Sequence, residues 1–256
     1  MSTRASAGAR RQVVRYVTAA DGTRLAWAEA GTGPVVVKAA NWLTHLAYEW
    51  ESPVWRHWLE FFADRTCFVR YDERGCGMSD WREEGLSIDT WAADLHAVIA
   101  AARPSGPVTL LGISQGAATC IRYAVTHPER VERLILYGGY ARGALRRGSR
   151  DAERFRRAMI DIARVGWGHD NPTFRQLFTS RFIPDATPAQ LAWFNELCRT
   201  CVTAEAVSTL LEARASVDVT DDLPRIRVPT LVLHARRDEV IPLDEGRAAR
   251  RGHPGR

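Results

Sequence analysis

The sequence predicts an α/β fold, a mostly parallel β-sheet with helices on both faces and a helical lid. Three observations point there. Short apolar runs alternate with amphipathic stretches along most of the chain, and strands separated by helices require crossovers within a largely parallel sheet. A Gly-x-Ser-x-Gly sequence, Gly112 to Gly116, sits where one apolar run passes into a helical stretch. Between Tyr140 and Arg225 the strand pattern disappears and only helical periodicity remains.

The elements follow in order. Gln12 to Thr18 alternates as a strand, Asp21-Gly22 supplies a tight turn, and Arg24 to Glu29 returns as an antiparallel partner. Val35 to Ala39 is a short buried strand after the turn at 31–34. A helix over Val54 to Phe62 and a strand over Thr66 to Tyr71 come next. Ser87 reads as the N-cap of a helix running to about Ala102, with Asp89 in the first turn, where a carboxylate meets the positive end of the helix dipole. Trp91, Leu95, Val98 and Ile99 share one face of it. Val108 to Ile113 is a buried strand, Gln115 to His127 a helix stopped by Pro128, and Val131 to Tyr137 another strand. Helical stretches near Asp151–Arg164, Thr187–Arg199 and Ala204–Ala213 follow, broken by Gly166, Gly168, Pro172 and Pro184. They read as the lid, whose Trp167, Phe174, Phe178, Phe182, Trp193 and Phe194 suit its own core or the wall of an apolar pocket. Thr230 to His234 is the last strand and Leu243 to Arg251 a final helix. The predicted organisation is a core formed by 1–139 and 226–256, with 140–225 as the lid.

Composition narrows the function classes. At 256 residues, 46% hydrophobic and 25% charged, the proportions are those of a globular protein, which excludes disorder or a coiled-coil rod as a description of the whole. No run approaches the length of a spanning helix, so no membrane partner is expected. The arginine-bearing start lacks the apolar run of a secretory signal, and the cytoplasm is the expected compartment. The net charge of +5 raises the question of nucleic acid. The arginines are dispersed, Lys38 is the sole lysine, and no basic stripe is interleaved with aromatics, so no nucleic-acid partner is expected. Five thinly spread cysteines do not make a disulfide framework. Cys198-x-x-Cys201 has neither a second pair nor a histidine at metal spacing, and no metal is expected.

The chemistry lies in Gly112-Ile113-Ser114-Gln115-Gly116. A serine held in a sharp strand-to-helix turn needs small residues two positions to either side, because backbone crowds there. The turn lifts the hydroxyl out of the sheet edge and sets it at a helix N-terminus, which favours developing negative charge. With this elbow, with Tyr71-Asp-Glu-Arg-Gly-Cys-Gly-Met-Ser79 after the preceding strand, and with Leu231-Val-Leu-His-Ala-Arg-Arg-Asp238, the chain resembles the α/β-hydrolase family over nearly its whole length. More narrowly, it is similar to bacterial hydrolase-like modules associated with transcriptional regulators or nucleotide cyclases. The resemblance implies a serine hydrolase acting by a Ser-His-Asp mechanism on a small apolar ester or related activated acyl substrate, without a cofactor. It assigns Ser114 as nucleophile and Asp238 as the acid. Gln115 and Trp42 would supply the oxyanion-hole N–H groups, although the loop reads Ala40-Asn41-Trp42-Leu43 where the family has His-Gly. Asp72 and Arg74 read as structural. A serine rather than an aspartate at the elbow argues against haloalkane dehalogenase and epoxide hydrolase chemistry.

The family order places the histidine after the acid, and His253 is the residue that follows Asp238, which makes it the candidate base. A helix over Leu243 to Arg251 would run back to the opposite edge of the sheet and put His253 at the wrong end. His45, in the loop that carries Trp42, is the alternative base. A last strand, a histidine loop and a final helix are expected beyond the residues present, so Thr230–His234 is expected to form an exposed sheet edge through which a homodimer could form. The alternative function is a hydrolase-fold ligand-binding or regulatory module with weak or no turnover.

Overall fold

The computed structural model describes residues 12–253. Strands β1 (Val13–Thr18) and β2 (Arg24–Ala30) form the hairpin, and β3 (Val35–Lys38) follows. Helices α1 (Leu46–Trp50) and α2 (Arg56–Ala63) lead to β4 (Cys67–Tyr71), and α3 (Ile88–Ala102) to β5 (Val108–Ile113). Next come α4 (Gln115–Thr126) and β6 (Val131–Tyr137). Four consecutive helices then interrupt the sheet: α5 (Arg150–Gly166), α6 (Thr173–Phe182), α7 (Pro188–Cys201) and α8 (Ala204–Ala215). The described residues end with β7 (Thr230–Leu233) and α9 (Leu243–Gly252).

The seven strands lie in the order β1-β2-β4-β3-β5-β6-β7, with β1 and β2 antiparallel to their neighbours and the rest parallel. Every expected strand is present within a residue at each end. Local chemistry explains the boundaries. The Ser87 hydroxyl accepts the Thr90 N–H to start α3, and Asp21 Oδ1 accepts the Thr23 N–H at 3.0 Å to close the first hairpin. Two helices escape the sequence reading. One, α1, spans five residues, too few to show a period. The other, α6, follows Pro172, which reads as a break but stands just outside the first turn, where the missing N–H costs nothing.

The two sheet faces are filled differently. Under α3 and α4 lies a continuous core that includes Val37, Leu95, Val98, Leu110, Ile121, Tyr123, Leu134 and Leu136. On the opposite face the buried cluster contains Val36, Leu59, Phe68 and Leu111, with Trp55 and Phe62 packed against it. One row of cross-strand partners runs along that face: Arg70, Lys38, Leu111, Ile135 and Leu231. Leu231 and Leu233, at its far end on the edge strand, are 52% and 42% exposed. The helices α5–α8 have their own core, built on Met159, Trp167, Phe178, Phe194, Leu197 and Leu210, and it reaches down to Leu43 beside the elbow. Trp167, Phe178 and Phe194 thus serve the core, and Phe194 lines the cavity described next as well.

Candidate active site

Strand β5 ends at Ile113 and α4 begins at Gln115, so Ser114 turns the chain within one residue. Its φ of 53° and ψ of −122° lie where L-residues are strained. Crowding dictates the flanking glycines. A Cβ on Gly112 would stand 2.6 Å from Ala117 Cα, and one on Gly116 would stand 3.0 Å from the Ala40 carbonyl oxygen. The Ser114 N–H donates to the Tyr137 carbonyl, and the Ser114 carbonyl accepts from Ala117 N–H, each at 3.1 Å. The backbone is therefore held from both sides. Among the described residues Ser114 Oγ has no hydrogen-bond partner.

Ser114 opens onto a cavity of about 470 Å³ that also takes in Trp42, Trp55, Phe182, Phe194 and Asp238. Leu111 and Ile113 of the less filled sheet face belong to its walls. The chamber is mostly apolar, with charged residues in two places: Arg181, Arg237, Asp238 and Glu239 on one side, and Lys38, Glu49 and Arg70 on another. Glu49 pairs with Arg70 at 3.3 Å, and Lys38 donates to Asn41 Oδ1. Burial lowers the Lys38 ammonium pKa and the neighbouring Arg70 lowers it further, while Glu49 opposes both. Asp72 lies behind this wall, buried and within electrostatic reach of Glu49 and Arg70. It accepts the Leu46 and Met78 N–H groups, yet burial outweighs them and pushes its carboxyl up to about 7. Arg74 is locked in a fork to both Asp94 oxygens, at 2.7 and 2.5 Å, with Asp21 on its third nitrogen at 2.7 Å. Asp72 thus ties its loop to Leu46 and Met78, and Arg74 ties the same loop to α3 and to the first hairpin turn.

Gln115 follows Ser114 in the chain, and Trp42 lines the same cavity as Ser114. As the first residue of α4, Gln115 has an N–H outside the intrahelical ladder. Its side chain donates to Glu73 at 3.5 Å, and Glu73 in turn pairs with Arg214 of α8. Burial raises the Glu73 carboxyl, and the Arg214 charge opposes that. The Trp42 ring stacks on Phe178 and Phe182, with centroids 5.9 and 5.6 Å away, and the Arg214 guanidinium lies 5.2 Å over it. The loop after β3 is thereby clamped to the helices above it.

Asp238 follows β7 and reaches Gly138 at the end of β6, so it lines the same cavity as Ser114. Its Oδ1 accepts the Val240 and Ile241 N–H groups at 2.9 and 2.8 Å, and its Oδ2 is 3.7 Å from His234 Nε2. His234 makes its hydrogen bond to the Ile241 carbonyl instead, at 3.0 Å. His253 is not brought to the site. Its Nε2 lies 3.2 Å from the Val228 carbonyl, before β7 begins, while Leu233 at the other end of β7 is level with Tyr137 and Ile113. Five residues of extended chain separate those levels by ~17 Å. The physical reason is that α9 runs antiparallel to β7 and returns its C-terminus to the opposite sheet edge. His45 caps α1 by accepting the Tyr48 N–H at 3.2 Å and does not line the chamber beside Ser114. The sequence reading missed Lys38, Arg156 and Arg181 near Ser114. The sole lysine, at the end of a central strand, was a usable signal for the first; the arginines were indistinguishable from the others in the chain.

A strained serine between glycines, on a sheet of this order and beneath a helical layer, defines a serine-type α/β hydrolase. The chain belongs to the serine aminopeptidase S33 family, whose family model matches residues 57–254. It is similar to the AB hydrolase superfamily protein YisY of Bacillus subtilis (strain 168), 27% identical over 93% of this chain and 86% of that one. It is likewise similar to a non-heme chloroperoxidase of Streptomyces lividans, 27% identical over 88% of this chain and 83% of the other. Among solved structures, an esterase from Exiguobacterium antarcticum superposes with a TM-score of 0.78 at 25% identity, covering 95% of this chain and 88% of the esterase. No helix among the described residues is long and apolar enough to cross a membrane.

Proposed function

We propose that the chain hydrolyses carboxylic esters, with Ser114 as nucleophile and the helices α5–α8 as a lid over the site. The observation that carries this reading is the strained Ser114 between Gly112 and Gly116, facing a 470 Å³ chamber that it shares with Asp238. Ser114 Oγ attacks the ester carbonyl, and the resulting oxyanion is met by the N–H groups of Gln115 and Trp42. The proton lost from Ser114 Oγ goes to the departing alkoxide, which leaves as the alcohol. Water then adds to the acyl-serine, releasing the acid and returning a proton to Ser114 Oγ. Asp238 is the acid of this set. The proton on Ser114 Oγ needs an acceptor, and His253 and His45 both stand elsewhere, so the chemical step is slow.

A second reading, a hydrolase-fold module that binds an ester or acid and turns it over weakly, is favoured by the unpartnered Ser114 hydroxyl. A fluorophosphonate probe separates the two. Slow labelling, lost in Ser114→Ala, is the expected result. Labelling that persists in Ser114→Ala removes that residue as nucleophile, and rapid labelling lost in His253→Ala restores that histidine as base. For assembly, we propose a homodimer through β7, a four-residue edge strand with exposed Leu231 and Leu233. Sedimentation showing only monomer at tens of micromolar excludes it.

A further inference from the structure

A second cavity, of about 50 Å³, lies on the lid side of Ser114 and shares Ser114, Trp42, Arg181 and Phe182 with the larger one. Four arginines line it: Arg147, Arg156, Arg181 and Arg214. Three of them are occupied. Arg214 pairs with Glu73, Arg147 donates to the Arg142 carbonyl with Glu245 at 3.8 Å, and Arg181 donates to the Glu239 carbonyl while stacking on Phe155. Arg156, on α5, has neither a hydrogen bond nor an ion pair among the described residues. Burial disfavours its charged form most, and Arg181, Arg147 and Arg214 repel that charge while the Tyr140 phenol opposes them. An unpaired, partly buried guanidinium among like charges is costly, and an anion with two oxygens relieves that cost through the planar fork of its donors.

The volumes say what kind of anion fits. A water needs roughly 10–15 Å³ of such space, so the smaller cavity takes a carboxylate and about one methylene, while an aryl or branched group belongs in the larger chamber. Ser114 stands at the junction of the two. We propose that Arg156 binds a carboxylate on the substrate, which places the apolar part of an anionic ester in the large chamber and its acid group beneath the lid. The substrate class is then esters that carry a free carboxylate, such as monoesters of dicarboxylic acids. This rests on the reading of Ser114 as the reacting residue, and it narrows the apolar acyl substrate expected from the sequence.

The test measures binding, so it does not depend on turnover. Ser114→Ala protein is titrated calorimetrically with monomethyl adipate and with dimethyl adipate, which differ by one charge. The monoester is expected to bind about tenfold or more tightly than the diester, the range for a charge-assisted hydrogen bond. In Ser114→Ala/Arg156→Gln the two esters are expected to bind within about twofold of each other, and Arg156→Lys, which keeps the charge and loses the fork, is expected to fall between. Equal binding of the esters, or a preference that survives Arg156→Gln in folded protein, overturns the proposal. Inorganic phosphate binding as tightly as the monoester also overturns it, since that describes a bare anion site. Failure of Ser114 to take up a fluorophosphonate refutes the hydrolase reading and leaves this binding preference to be measured separately.

Discussion

The two faces of the sheet carry neighbouring residues of the same type into different fates. Leu110 and Leu111 are adjacent on β5 and both essentially buried, yet Leu110 sits in the continuous core beneath α3 and α4 while Leu111 borders the 470 Å³ chamber. One face is packed to fold the chain; the other keeps space beside Ser114. A close-packed core resists unfolding because deleting a side chain leaves a hole. A face that already holds a chamber has less to lose and can hold a ligand instead.

Truncating the two leucines tests this most strongly. Leu110→Ala should cost about 3–5 kcal/mol of unfolding free energy, and Leu111→Ala about 2 kcal/mol, because at the chamber wall the transfer term remains and little new void forms. Equal losses in urea titrations would erase the distinction between the faces.

Next in size is the buried carboxyl of Asp72, beside Glu49 and Arg70. Burial raises the Asp72 carboxyl from 3.8 to about 7. Between those values the folded chain holds a proton that the unfolded chain has released. The stability contributed by neutral Asp72 is therefore present below about pH 4 and lost as pH rises through 7. Asp72→Asn, which keeps an acceptor for the Leu46 and Met78 N–H groups, should flatten that decline when unfolding is compared at pH 4.5 and 7.5. A mutant slope parallel to the wild-type slope would assign the pH dependence to other groups.

Gly112→Ala probes the junction between the faces. Its Cβ would stand 2.6 Å from Ala117 Cα, and relief requires the elbow to shift, at roughly 1–3 kcal/mol and with loss of Ser114 labelling. Unchanged labelling would mean that the turn tolerates more than its geometry allows. The smallest effect is expected at the exposed end of the open face. Leu231→Ser should change stability by no more than about 0.5 kcal/mol, as surface substitutions do, and should reduce any self-association seen by sedimentation.

The strands were legible because each is a short apolar run bounded by turn residues, and the elbow was legible because its requirement for small neighbours is satisfied within five consecutive positions. The short α1 and the proline-preceded α6 were not, since neither shows a clear period or start signal. The sequence also sufficed to put His253 at the wrong end of the sheet, because a strand followed by a helix fixes the direction of return.

By itself, then, the sequence determined the fold class, the strained turn at Ser114 and the arrival of Asp238 at the same sheet edge, all of which depend on residues near one another in the chain. Only the tertiary structure decided what surrounds Ser114. Lys38, Glu49 and Arg70 come from three elements, and Arg147, Arg156, Arg181 and Arg214 from four separate stretches. Their partners and desolvation are set by how β3, β4, α5, α6 and α8 pack. No local pattern distinguishes Arg156 from the other arginines of the chain, because the absence of a counter-charge is a property of the folded surroundings.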